Sequence, residues 1–126
     1  MHDTILLFGA TGDLARRYLF PSLLHLLRDR LLPETFRVIA IGRSEHSDDG
    51  FRSWLREHIQ EDADRNAGTL NDLLARTRYH ALDLNDAEAM AATLSQYAGR
   101  PAVSYLSTPP HLFEPACRGL EAAGLL

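Results

Sequence analysis

The segment ILLFGATGDLARRYLFPSLLHLL, Ile5 to Leu27, constrains this chain more than any other. A run of branched and apolar residues passes, through the five residues Gly9 to Asp13, straight into an amphipathic pattern. The run has the composition of a buried strand. Beyond it Leu14, Tyr18, Leu19, Leu23, Leu26, Leu27 and Leu31 recur mostly at intervals of three and four, which predicts a helix from Asp13 to about Leu31. Pro21 is expected to disturb that helix only weakly, because it lies in the first turns where few carbonyls stand four residues behind it.

The same alternation returns three times. Strands are predicted at Thr4 to Phe8, Arg37 to Ile41, Arg78 to Leu82 and Ala102 to Leu106, each followed by a helical pattern. Ser47 or Asp48 caps a helix carrying Phe51, Trp54, Leu55 and Ile59, and a short helix over Asn66 to Arg76 follows. Asn85 or Asp86 opens a helix with Met90, Leu94 and Tyr97, closed by Gly99 and Pro101. Thr108, Pro109 and Pro110 precede a helix with Leu112, Phe113, Ala116, Cys117 and Leu120. Strict strand and helix alternation implies right-handed crossovers and a parallel sheet covered on both faces. The expected fold is α/β, a Rossmann-like doubly wound sheet in strand order 3-2-1-4. The pattern stops at Gly124 to Leu126, where a fifth strand is due, so the chain is expected to be the front of a longer protein, cut inside a dinucleotide-binding domain.

Composition narrows the ligand. A net charge of -4 with dispersed basic residues, all of them arginine, argues against nucleic acid and leaves a small molecule as the default. The single cysteine, Cys117, excludes an internal disulfide framework and is expected to be a small buried hydrophobe in a reducing compartment. No apolar run reaches about 20 residues and no secretory leader pattern opens the chain, so a cytoplasmic location off the membrane is expected. His2, His25, His46, His58, His80 and His111 show no metal-ligand spacing, and even His111, near a ligand-facing loop, is expected to be surface packing.

Gly9, Gly12 and Ala15 match GxxGxxA after a strand and at the head of a helix. Gly9 allows a tight turn, Gly12 lets backbone approach a pyrophosphate, and small Ala15 permits close packing on the sheet, while free amides at the helix start face the phosphates. Asp13 would repel a phosphate, so capping its own helix is its more economical role. At the end of the second strand, where an acidic residue would hold the ribose 2′-hydroxyl of NAD, the chain has Arg43 and Ser44. A guanidinium fork and a hydroxyl suit a 2′-phosphate, which favours NADP. Asp83 could accept from an adenine amino group with Leu84 packed on the ring; a loop or capping carboxylate is an equal reading of Asp83. Ser107, Thr108 and Pro109 end the fourth strand beside the first, where they border the nicotinamide half.

FGATGDLARRYLFPSL resembles the coenzyme loop and first helix of the glucose-6-phosphate dehydrogenase family, and the resemblance continues through IGRS, the DL at 83 and 84, and YLSTPPHLFEP. It implies oxidation of glucose 6-phosphate at C1 to 6-phosphogluconolactone with hydride transfer to NADP, the entry to the oxidative pentose phosphate route, by a homo-oligomeric protein. It also implies that Gly9, Ala10, Thr11, Gly12, Asp13 and Leu14 hold the pyrophosphate, Arg43 the 2′-phosphate, and Asp83 with Leu84 the adenosine side. The family usually carries a lysine directly after the basic pair, reaching coenzyme and sugar phosphate; here Tyr18 stands there and brings no positive charge. The family's EKP-type segment and its catalytic histidine with carboxylate partner would lie beyond Leu126, so residues 1–126 alone are expected to bind NADP without turnover.

Two rivals remain at this point: an extended short-chain dehydrogenase or epimerase acting on nucleotide sugars, and a non-catalytic NADP-binding module. With no further strand beside it, AVSYLS is expected to be an apolar sheet edge through which the chain self-associates.

Overall fold

The computed structural model describes residues 2–59 and 67–126. Four parallel strands, β1 (Thr4–Phe8), β2 (Arg37–Gly42), β3 (Thr77–Ala81) and β4 (Ala102–Leu106), form one sheet in the order β3-β2-β1-β4. Register is set by long aligned ladders: Thr4 to Phe8 pair with Arg37 to Ile41 on one side and with Ala102 to Leu106 on the other. The helices are α1 (Phe20–Arg28), α2 (Asp48–His58), α3 (Ala67–Ala75), α4 (Ala87–Leu94) and α5 (Phe113–Ala122). The expected doubly wound order is therefore the observed one, and the C-terminal ends of all four strands point the same way.

Alternation along β1 and β2 divides the core in two. Leu7, Val38, Ala40 and Tyr79 face α1, α2 and α3, where they bury Phe20, Leu24, Phe51, Leu55, Leu70 and Leu73. Leu6, Phe8, Ile39 and Ile41 face α4 and α5, where they bury Met90, Leu94, Ala116 and Leu120. Central strands buried on both faces are the reason β1 and β2 read as continuous apolar runs. Each fully buried Leu or Phe contributes about 1.5–3 kcal/mol, so this two-sided burial dominates the favourable side of folding.

The first helix departs from expectation. Ala15–Leu19 form a π-helical turn, and the Phe20 N–H donates to the Ala15 carbonyl five residues back. Pro21 supplies the reason: it has no N–H and its ring collides with a carbonyl four residues behind, so the helix widens just ahead of it. Pro21 then sits in the first turn of α1, where the missing donor costs nothing.

Smaller differences have local causes. β3 begins at Thr77 rather than Arg78, because Thr77 is buried and its hydroxyl donates to the Leu73 carbonyl at the end of α3. Ser47 is the cap of α2, accepting from the Gly50 N–H at 3.0 Å, and Asp86 caps α4 through the Ala89 N–H. Tyr97 lies in a 3₁₀ turn after α4, ahead of Gly99 at φ +87°. The helix expected over Asn66 to Arg76 is α3; Asn66 itself lies outside the described residues. Cys117 is exposed, against expectation: α5 buries Ala116, Gly119 and Leu120, and residue 117 falls off that stripe.

Candidate functional site: a cleft over the strand ends

The loop from Gly9 to Leu14 leaves β1 under tight geometric control. Gly9 has φ +81°, a conformation open to glycine, and a Cβ there would stand 2.4 Å from the Ser107 carbonyl oxygen. The Gly9 and Ala10 amides both donate to the Ile41 carbonyl, at 2.9 and 3.0 Å, and the Gly12 amide donates to the Gly9 carbonyl at 3.0 Å. These three loop amides are thus spent on folding the loop. Among the described residues the amides of Thr11, Asp13, Leu14 and the buried Ala15 have no backbone acceptor; they precede the first helical hydrogen bond, from Arg16 N–H to the Gly12 carbonyl. Ala15 is fully buried, as close packing of this helix on the sheet requires.

A cleft of about 220 Å³ opens above this loop, lined by Gly9, Thr11 and Gly12 from β1's end, Ile41, Gly42 and Arg43 from β2's end, Leu82 and Leu84 after β3, and Ser107 to Pro109 with His111 and Leu112 after β4. Crevices at this place, outside the carboxyl ends of the strands where the winding reverses, are where open α/β sheets bind ligands. The larger hollow of about 370 Å³ between Asn85, His111, Glu114 and Arg118 lies to one side of the loop and shares only Leu84 and His111 with the cleft.

The structure gathers Gly9, Thr11, Gly12, Arg43, Leu84 and Ser107 on this one cleft. Arg43 is exposed, borders two adjoining hollows as well, and has no ion pair among the described residues. Asp83 lines those adjoining hollows and its carboxylate accepts from the Asn85 N–H at 2.9 Å, the loop role that was one of its two readings. Ser107 ties the two loops together, donating through its amide to the Phe8 carbonyl at 3.0 Å and through Oγ at 2.6 Å.

Other expected residues stand apart from the cleft wall. Ala10 is fully buried beneath the loop, and Leu14 and Ser44 are exposed beside it. Asp13 does not cap its helix. Its carboxylate instead accepts from Arg16 Nη2 at 2.6 Å, and that hydrogen bond, with the charges of Arg16 and Arg17, holds its carboxyl below the usual range. The i, i+3 spacing on the helical surface favours this pairing over a cap. Tyr18 is 62% exposed in the π-helical turn and is not part of the cleft.

Sequence reasoning passed over several wall residues. His111 lines the cleft although surface packing was expected of it, and Leu82 and Leu112 supply apolar wall. Thr108, expected beside the nicotinamide half, has its Oγ1 buried at the cleft with no hydrogen-bond partner among the described residues, an orphan acceptor and donor of the sort a polar ligand satisfies. Gly42 also matters: a Cβ there would meet the Tyr79 hydroxyl at 2.6 Å and Thr11 Oγ1 at 3.2 Å. The pairing of GR with a distant tyrosine has no local sequence signal.

A glycine turn at the head of a helix, unspent amides and an unpaired arginine at the end of β2 fit a dinucleotide with phosphates over the loop. The fold and cleft together define a dinucleotide-binding domain of the doubly wound class. Among known proteins, the family described as glucose-6-phosphate dehydrogenase, NAD binding domain, matches residues 6–126, and the chain belongs to that family. The glucose-6-phosphate 1-dehydrogenase of Zymomonas mobilis is 37% identical over 98% of this chain and 26% of its own length. That of Treponema pallidum is 36% identical over 87% of this chain and 24% of its own. A crystal structure of glucose-6-phosphate 1-dehydrogenase from Mycobacterium avium superposes with a TM-score of 0.86 at 28% identity, over 99% of this chain and 28% of that one. The chain thus spans about a quarter of the length of the relatives it matches. A nicotinamide dinucleotide is the family's cofactor. No helix among the described residues is long and apolar enough to cross a membrane.

Proposed function

We propose that this chain is the coenzyme-binding part of a glucose-6-phosphate 1-dehydrogenase, an enzyme that oxidises glucose 6-phosphate at C1 to 6-phosphogluconolactone, and that its cleft takes NADP. The observation that carries the reading is the assembly, on one cleft, of the Gly9–Gly12 loop and an unpaired Arg43 at the end of β2. In this reading the Thr11, Asp13 and Leu14 amides receive the pyrophosphate with Gly9, Ala10 and Gly12 shaping the turn. Arg43, with the Ser44 hydroxyl beside it, receives the 2′-phosphate. Leu84 packs on the adenine, Asp83 accepts from its amino group, and Ser107 borders the nicotinamide half.

When bound, NADP supplies the hydride acceptor; the residues of this chain bind it and orient it. Turnover belongs to the whole natural polypeptide. Among the described residues lining the cleft there is one imidazole, His111, and no carboxylate, so a histidine and carboxylate base is not assembled there. A cytoplasmic homo-oligomer is the form this reading implies for the whole protein. Residues 1–126 alone would meet a second copy through β4, where Val103 and Tyr105 are exposed at the sheet edge.

Titration calorimetry with NADP, NAD and glucose 6-phosphate on the natural gene product tests the reading. Tight NADP binding with reduction of NADP on addition of the sugar phosphate supports it. Absence of NADP binding at millimolar concentration overturns it. Binding of NADP with no turnover of any sugar phosphate would favour the non-catalytic module.

A further inference from the structure

The loop that carries Arg43 is held from the neighbouring strand. It runs from Gly42, the last residue of β2, to the cap Ser47, and its residues Arg43, Ser44 and Glu45 are exposed. Tyr79 on β3 is 5% exposed and its hydroxyl donates to the Ser44 carbonyl at 2.6 Å. The Tyr79 amide donates to Asp48 Oδ1 at 2.8 Å, in the first turn of α2. Its ring stacks on Phe51 with centroids 4.5 Å apart and meets the edge of His46 at 5.4 Å. One residue therefore ties both the start of α2 and the middle of the loop to the sheet.

The approach works because Gly42 has no side chain. A Cβ at Gly42 would lie 2.6 Å from the Tyr79 hydroxyl, so the phenol reaches Ser44 through the space glycine leaves open. Gly42 is in turn fixed by accepting from the Leu82 N–H at 2.9 Å. Arg43 is left between two tethered neighbours, Gly42 and Ser44. Burial, with the charge of Glu45, pushes the Tyr79 phenol up to about 12, so the hydroxyl stays a donor throughout the neutral range.

We propose that Tyr79 is a positioning residue for coenzyme discrimination: its hydroxyl, by holding the Ser44 carbonyl, aims Arg43 at the 2′-phosphate and so sets the preference for NADP over NAD. The inference rests on the reading of Arg43 given above. A hydrogen bond that does not touch the ligand acts on specificity by reducing the number of arrangements the guanidinium must give up on binding. Only ligands with a 2′-phosphate draw on that alignment.

The test is Tyr79→Phe in the natural gene product, which keeps the ring stack and removes one oxygen. Ser44 is exposed, so water takes over its carbonyl and the melting temperature should barely move. Affinity for NADP and for the probe adenosine 2′,5′-bisphosphate should fall about five- to tenfold, the range of one hydrogen bond. Affinity for NAD and for adenosine 5′-diphosphate should stay unchanged, KM for NADP should rise, and kcat at saturation should hold. In an Arg43→Ala background the second substitution should add nothing. Equal loss for NAD and NADP, or full retention of the preference while Arg43→Ala abolishes it, overturns the role of Tyr79 and leaves Arg43 standing. If Arg43→Ala itself leaves the preference intact, the reading of Arg43 fails and this inference fails with it.

Discussion

Gly9 and Ser107 meet backbone to backbone: a Cβ at Gly9 would stand 2.4 Å from the Ser107 carbonyl oxygen and 2.9 Å from its carbonyl carbon. The Ser107 amide and hydroxyl both donate to Phe8, one residue earlier. The loops after β1 and β4 are therefore one unit, and the floor of the cleft cannot change on one side alone.

Gly9→Ala should accordingly damage both fold and site. Neither backbone can yield, and φ +81° is strained for alanine, so a loss of about 2 kcal/mol or more is expected. Gly68→Ala is the control: nothing lies within 4 Å of its missing Cβ and it sits in α3, where alanine should be neutral or stabilise by up to about 1 kcal/mol. Urea denaturation of the two variants checks the contrast.

Arg43→Ala should separate the coenzymes. Loss of a charge-assisted pairing with the 2′-phosphate costs about 1.5–3 kcal/mol, roughly ten- to hundredfold in Kd, and NAD should be indifferent to it. Calorimetry with both dinucleotides reads this directly. An equal loss for NAD would mean that Arg43 serves the pyrophosphate or the fold.

Much of this architecture was legible in the chain because its signals are local. β1 and β2 are apolar runs of strand length, each followed by a helical period, and from these the order β3-β2-β1-β4 follows by crossover handedness. What escaped is what depends on partners far away in sequence or on a departure from regular period. The π-helical turn at Ala15–Leu19 leaves the apolar spacing nearly intact, so periodicity reads through it as plain helix. Ile41 takes the Gly9 and Ala10 amides from 31 or more residues away, and no motif announces that an amide in a glycine loop is already engaged. Cys117 was misplaced because residue type was weighed above its angular position on α5; its neighbours Ala116 and Gly119 fill the buried stripe.

The contact between α4 and α5 makes a second packing prediction. A Cβ on Gly119 would fall 2.2 Å from Met90 Sδ and 3.0 Å from Met90 Cβ, and Met90 is fully buried. The thioether can swing aside, but its own Cβ follows the backbone of α4. Gly119→Ala should therefore push the two helices apart at a cost of about 1–3 kcal/mol, with the coenzyme loop unaffected. Met90→Ala in the same chain should recover part of that loss by making room.

His80 should make stability depend on pH. Burial lowers its pKa from 6.5, with Arg78 acting in the same direction and Asp48 opposing, and its Nε2 lies 2.6 Å from the Tyr97 hydroxyl. The unfolded chain then binds the proton more readily than the folded one. Stability should be level above about 6.5 and fall as pH drops from there through the lower folded value. His80→Gln, which cannot take up the proton, should flatten that part of the curve when melting temperature is followed from pH 7.5 to 5.

The β4 edge yields the last prediction. Val103 and Tyr105 are 46% and 42% exposed, and their partners across the ladder are Ile5 and Leu7, so they prolong the α1 face of the sheet past the helices that cover it. Among the described residues β4 pairs with β1 alone, leaving its outer backbone groups available to another strand. An uncovered apolar edge of this kind favours pairing with a second copy, while a lysine on it opposes pairing through charge that cannot be buried. Residues 1–126 should therefore show a concentration-dependent rise in mass by light scattering, and Val103→Lys with Tyr105→Lys should suppress it while leaving the helical circular dichroism intact. A monomer at high concentration before substitution would show that the edge does not recruit a partner, and the association would then have to be abandoned.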